Sequence, residues 1–358
     1  MDPTYTGAYG RIKAYETEFL PEETFRRLAE LKTVDDISSM LYGTFYKQDM
    51  ELFSAIYKGV DLVNISLNHR LIRRNRIALF AAPTPARDII RSYLAKWDVE
   101  NIKSIISSKY MGYQIKETEN FLVSFRDIPI GMFGGAMTHD DFKALISLGT
   151  IEETVNYLSA FGYGQYLLQM MDRYRKTGDV GVLLSALDNY NYMKLGDSLK
   201  FYNGDEGPVR RFISEEIDLR NIMVTLKGID LGVEFDVLKE ALMPMGNISP
   251  ATLRDMYSPG GVEQALDRLK VFYKVLETAA TQYASDRRLE VLETSIKLEI
   301  YSKYVDAFSQ QALSVGSTFA FILRSERERE RLRSILFGRY YSINETMISE
   351  YFFSFRRS

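Results

Sequence analysis

Cysteine is absent from this chain, which excludes a disulfide framework and thiolate chemistry and suits a reducing cytoplasm. Histidine is scarce: His69 and His139 are the two, and neither has a His or Glu partner at a ligand spacing such as HExxH. Both read as ordinary surface or packing residues, so neither a metal site nor a cofactor is expected. An excess of one charge is missing as well. With 45 Lys and Arg against 48 Asp and Glu, the net charge of -3 gives no basic surplus for a nucleic-acid partner. No segment approaches the roughly 18 uninterrupted apolar residues of a membrane span. The best candidate, IALFAAPTPA, is broken by Pro83 and Pro85, so no direct membrane span is expected. The first residues, MDPTYTGAYGRIKAYE, have no apolar signal core, and export is not expected either.

What is present is an ordinary globular composition, 46% hydrophobic and 26% charged, in a chain of 358 residues, long enough for two or three domains. Its organising feature is a long-period repeat. WDVENIKSIISSKYMG, residues 97–112, returns as IDLRNIMVTLKGIDLG at 217–232, and again in worn form within RSERERERLRSILFGRYYS at 324–342. The copies align without a gap. Asp98, Asp218 and Glu328 form one polar column, and Asn101, Asn221 and Arg331 form another. Ile102, Ile222 and Leu332 match, as do Ile106, Leu226 and Leu336.

A second module accompanies the first. FRRLAELKTVDDISSMLYGTFY (25–46), FKALISLGTIEETVNYLSAFGYG (142–164) and LRDMYSPGGVEQALDRLKVFY (253–273) each read as a short helix, a tight turn and a second helix. Thr150 with Glu153 spells a capping box. Thr33 with Asp36 is the same device with the acid one carbon short, and Gly261 replaces the capping threonine in the third version. From Thr33, Thr150 and Gly261 to the acid of the following repeat helix is 65, 68 and 67 positions. That near-constant separation predicts three copies of one domain, at 1–129, 130–246 and 247–358. Ahead of the first module, a helix is expected from about Tyr9 to Leu20, ending before Pro21. The intervening text keeps a helical period, so almost no sheet is expected. The Gly and Pro clusters IPIGMFGGAM (128–137) and MPMGNISP (243–250) read as linkers at copy boundaries.

Little of this carries chemistry. GMFGGAM lacks both the Lys-Ser/Thr ending of a P-loop and the GxGxxG spacing, and reads as linker. Asp35-Asp36 and Asp140-Asp141 fall at helix starts, where the dipole favours negative charge. Many aromatics, including Phe25, Phe45, Tyr46, Phe142 and Tyr157, fall on apolar columns and read as core. The polar columns Asp98, Asn101, Asp218, Asn221, Glu328 and Arg331 have two readings. One is capping or inter-helix hydrogen bonding that fixes packing; the other is a polar ring presented three times for partner contact.

WDVENIKSII, EIDLRNIMVTLKG and FILRSERERERLRSILFGRYYSI together resemble the C subunit of the archaeal and bacterial A/V-type rotary ATPases, a relative of the d subunit of the eukaryotic vacuolar ATPase. The N-terminal helix with Tyr9, Arg11 and Lys13 and the run ALSVGSTFAFILR are similar to that family's pattern too, so the resemblance covers essentially the full length. The chain departs from its own repeat at Arg331, which stands in the Asn221 column, and at Ser108, which stands where the other copies have Gly228 and Gly338. The resemblance implies an all-α funnel of three homologous helical domains about a pseudo-threefold axis. It also implies a non-catalytic coupling role on the cytoplasmic face of the membrane. The wide mouth would take rotor shaft subunits of the D and F type, and the base would rest on the membrane proteolipid ring, so that torque passes between ion transport and ATP chemistry. The rival reading is a free-standing helical-repeat scaffold that binds another protein in a concave surface.

Overall fold

A computed structural model describes residues 3–112, 137–200, 207–257 and 261–342. Every regular element longer than a turn among the described residues is helical, as the period of the sequence predicts. In order these are α1 (Thr6–Glu16), α2 (Glu22–Glu30), α3 (Val34–Tyr42), α4 (Lys47–Phe53), α5 (Gly59–Ala81), α6 (Thr84–Leu94) and α7 (Lys96–Met111). There follow α8 (His139–Ser147), α9 (Ile151–Leu158), α10 (Tyr163–Thr177), α11 (Gly181–Lys200), α12 (Gly207–Asp230) and α13 (Phe235–Leu238). The last are α14 (Pro250–Met256), α15 (Gly261–Leu269), α16 (Leu276–Asp286), α17 (Leu289–Ser309) and α18 (Val315–Tyr340). The three repeat stretches lie in α7, α12 and α18.

The chain gathers into two compact units, one made of residues 192–320 and the other of 2–191 with 321 onward. In the 192–320 unit, α12 packs along α17 and against the hairpin α14–α15, burying Ile217, Ile222 and Leu226. In the other unit, two separate clusters have the same construction. Val99, Ile102, Ile105 and Ile106 of α7 pack on Phe142, Leu145, Ile151 and Val155 of the α8–α9 hairpin. Leu332, Ile335 and Leu336 of α18 pack on Phe25, Leu28, Ile37 and Leu41 of the α2–α3 hairpin. Each repeat helix therefore buries its apolar columns against a helical hairpin, and the last helix closes onto the first hairpin.

Local signals set the hairpins. The Thr150 hydroxyl accepts the Glu153 N–H while the Glu153 carboxylate accepts the Thr150 N–H, a complete capping box. Thr138 and Asp141 make another at the start of α8. Thr33 accepts the Asp36 N–H, and the Asp36 carboxylate accepts the Thr33 hydroxyl at 2.6 Å. Asp35 and Asp36 lie in the first turn of α3, and Asp140 and Asp141 in that of α8, as expected of helix-start acids.

Two expectations need correction. The first helix ends at Glu16 rather than Leu20, because the next residues are pulled into tertiary contacts. The Glu18 carboxylate pairs with Arg70, its carbonyl accepts from Arg74 at 2.9 Å, and the Leu20 N–H goes to Glu328. Phe45 is not core but 53% exposed, since the chain leaves α3 at Gly43 and turns Tyr46 inward in its place. The glycine run at 131–136 and most of the cluster 128–137 lie outside the described residues.

Candidate functional site

The six polar-column residues are placed inside the protein. Asp98, Asn101, Asp218, Asn221 and Glu328 are all buried, and the Arg331 side chain is nearly so. Two of the acids perform the same task. Asp218 accepts the N–H of Ile248 at 2.8 Å and Glu328 accepts that of Leu20 at 2.8 Å. Ile248 and Leu20 each stand one residue before the N-cap of a hairpin, Ser249 for α14 and Pro21 for α2. The acid thus fastens the hairpin's leading residue to the repeat helix, an anchoring role for a buried carboxylate that is satisfied by backbone donors.

Asn221 extends the clamp in the 192–320 unit. Its amide donates to the Met243 carbonyl at 2.9 Å and accepts the Met243 N–H at 2.8 Å, while Asn247 donates to Asp218 at 3.0 Å. MPMGNISP is consequently gripped at both ends of the cluster. Gly246 lies so near Asp218 that a Cβ there would overlap the carboxylate. Arg331, the departure in this column, forms a bidentate pair with Glu22 at 2.8 and 2.9 Å and lies 3.9 Å from the Phe25 ring centre. Both uses of the column bind the repeat helix to the hairpin's entrance.

Opposite each acid stands a buried tyrosine that follows an aromatic partner at the end of the hairpin module: Tyr46 after Phe45, Tyr163 in Phe161-Gly162-Tyr163, and Tyr273 after Phe272. Residue pattern alone puts such aromatics in the core without pairing them to the acids. The recurring Phe-Tyr ending of the three modules is the signal that points to the pairing. In one pair the contact is direct, Tyr46 donating to Glu328 at 2.8 Å, with the Arg74 guanidinium on the same oxygen at 2.6 Å. Burial, and then the Glu328 charge, push the Tyr46 hydroxyl well up. In the other two pairs no hydrogen bond joins tyrosine and acid. Burial, followed by the nearby Asp98 or Asp218 carboxylate, pushes Tyr163 and Tyr273 up in the same direction.

The acids differ in state because their donors differ. Among the described residues neither oxygen of Asp98 has a hydrogen-bond partner, and burial pushes this carboxyl well above the usual range. Burial also raises Asp218, opposed by the bonds from Ile248 and Asn247. His69, by contrast, is a packing residue: Nδ1 lies 2.6 Å from the buried Asp49 carboxylate and the ring meets Phe53 edge-on. Among the described residues no group of three or more His, Cys, Asp or Glu is placed to hold a metal ion, and no helix is long and apolar enough to cross a membrane.

The same helix-on-hairpin packing recurs at α7, α12 and α18, and Asp218 and Glu328 are spent on fastening hairpins, the pattern of an all-helical structural component. Residues 8–351 match the ATP synthase (C/AC39) subunit family, and the chain belongs to that family. It is 43% identical over 335 residues to the C subunit of the A-type ATP synthase of Thermoplasma volcanium and 41% identical to that of Thermoplasma acidophilum, in each case over 94% of both chains. The C subunit of the A-type ATP synthase of Methanocaldococcus jannaschii is 24% identical across 94% of this chain and 82% of its own length.

Proposed function

We propose that this chain is a structural, non-catalytic part of an A-type ATP synthase, acting as a rotor coupling between the central shaft and the membrane proteolipid ring. The observation that carries the reading is the near full-length likeness to the C subunits of A-type ATP synthases. Its partners are shaft subunits of the D and F type on one side and the ring's loops on the other, with the chain held peripherally at the cytoplasmic face. Three homologous domains arranged as a pseudo-threefold funnel give the part its symmetry. The threefold return of one acid–tyrosine–hairpin arrangement supports that organisation.

Torque transfer needs stiffness, because a soft joint stores rotation as strain, and close-packed interiors transmit it. The clamps at Asp218–Ile248, Asn221–Met243, Glu328–Leu20 and Arg331–Glu22 supply such stiffness at the hairpin entrances. The polar columns contribute to partner binding by setting the hairpins that partners touch. Affinity purification through the chain tests the role: shaft and ring proteins should come with it. Their absence, with other proteins bound instead, would favour the free-standing scaffold.

A further inference from the structure

The tyrosine–acid pairs are built alike but filled differently. Beside Tyr46 and Glu328, α5 delivers Arg74 onto the carboxylate and holds Arg70 5.3 Å from the Tyr46 ring centre. In the 192–320 unit the long helix after the hairpin is α17, which contains no arginine. Beside Tyr273 and Asp218 there is instead a cavity of about 280 Å³, lined also by Glu215, Glu299, Ile300 and Lys303. A water's share of liquid volume is about 30 Å³, so the space is several times larger than a single bridging water needs.

The chemistry of its wall is unbalanced. Tyr273 is 5% exposed and lines the cavity, yet its hydroxyl has no hydrogen-bond partner among the described residues. Lys303 is engaged by Glu215, which also accepts from the Tyr304 hydroxyl at 2.8 Å. Glu299 accepts only the Val275 N–H, at 2.9 Å, and Asp218 only the neutral donors of Ile248 and Asn247, so neither carboxylate is ion-paired among the described residues. Arg211 also lines the cavity but is exposed to solvent and makes no hydrogen bond among those residues. Asp218 is buried and Glu299 half-buried; a carboxylate held out of water without an ion pair is costly, and a guanidinium answers it with a planar fork of donors.

We infer that this cavity is a receptor for a guanidinium group, which takes beside Tyr273 and Asp218 the place that Arg74 takes beside Tyr46 and Glu328. The group comes either from an arginine of a neighbouring protein in the assembly or from a free guanidino compound. The inference stands independently of which proteins are the partners, since the precedent lies within the chain itself.

Calorimetric titration of the full-length chain with N-acetyl-arginine methylamide tests it, with the citrulline analogue as the neutral isostere. Saturable binding of the arginine probe alone is expected. Tyr273→Phe, which removes one oxygen, should weaken it about tenfold, the order of one hydrogen bond to a charged group. Glu299→Gln should weaken it comparably while leaving the Asp218 clamp intact. No saturable binding, equal binding of the citrulline analogue, or unchanged affinity in both variants would overturn the inference. Repeating the titration on the assembled complex separates the sources: loss of the site there assigns it to a neighbour's arginine, and retention to a free compound.

Discussion

Replacing Glu328 by glutamine should destabilise this protein far more than the corresponding Asp218→Asn change. The two acids sit in the same column and hold the same kind of backbone N–H, but only Glu328 also answers a buried cation. It is 4% exposed and accepts from Leu20, Tyr46 and Arg74 at 2.8, 2.8 and 2.6 Å. Glutamine keeps one acceptor oxygen, turns the other position into a donor, and leaves Arg74 buried without its counter-charge. Breaking a buried pair from one side costs about 3–5 kcal/mol. Arg74 retains the Glu18 carbonyl and lies 4.2 Å from the Phe19 ring centre, which puts the expected loss at the lower end, about 3 kcal/mol. Asp218 accepts from neutral groups only, and asparagine still offers an oxygen to Ile248, so that change should cost about 1 kcal/mol. Urea unfolding of the two variants gives the comparison, and hydrogen exchange at the Leu20 amide localises it. Equal midpoints, or Leu20 protection unchanged in Glu328→Gln, would refute the reasoning.

Asp98→Asn should stabilise the protein at neutral pH. The folded-state pKa of Asp98 lies above its unfolded value, so the native state binds the extra proton, and stability from this group falls as pH rises from about 4 through the folded pKa. The advantage of the variant, read as a urea midpoint, should therefore be large at pH 7 and vanish below about pH 4; an equal advantage at both would contradict it. Gly246→Ala drives a Cβ into the Asp218 carboxylate and should cost about 1–3 kcal/mol, with faster exchange at Ile248 as the local sign. Thr150→Ala removes the cap of α9 and should cost about 1 kcal/mol, seen as a lowered unfolding midpoint.

Whatever depends on near neighbours is legible in the sequence. Thr150 and Glu153 are three positions apart, and their box forms as spelled. The apolar columns Ile102, Ile222 and Leu332 follow the helical period and are buried. The helix stop at Glu16 is hidden, since it follows from Arg70, Arg74 and Glu328, all distant in sequence. The pairing of Tyr46 with Glu328 spans 282 positions, and its one trace in the sequence is the Phe-Tyr ending that recurs across the modules. Residue type cannot separate the two readings of the polar columns, because an acid that clamps a backbone N–H and one that meets a partner are spelled alike. The clamps themselves, Asp218 on the Ile248 N–H and Glu328 on the Leu20 N–H, depend on burial and donor geometry, which are properties of the folded chain.

The most direct test of the coupling role is a density map of the assembled synthase with this chain labelled at one terminus. The label is expected between the shaft and the proteolipid ring, turning with them in the rotational states. A label on the peripheral stalk or on the catalytic head, or a complete complex lacking the chain, would contradict it.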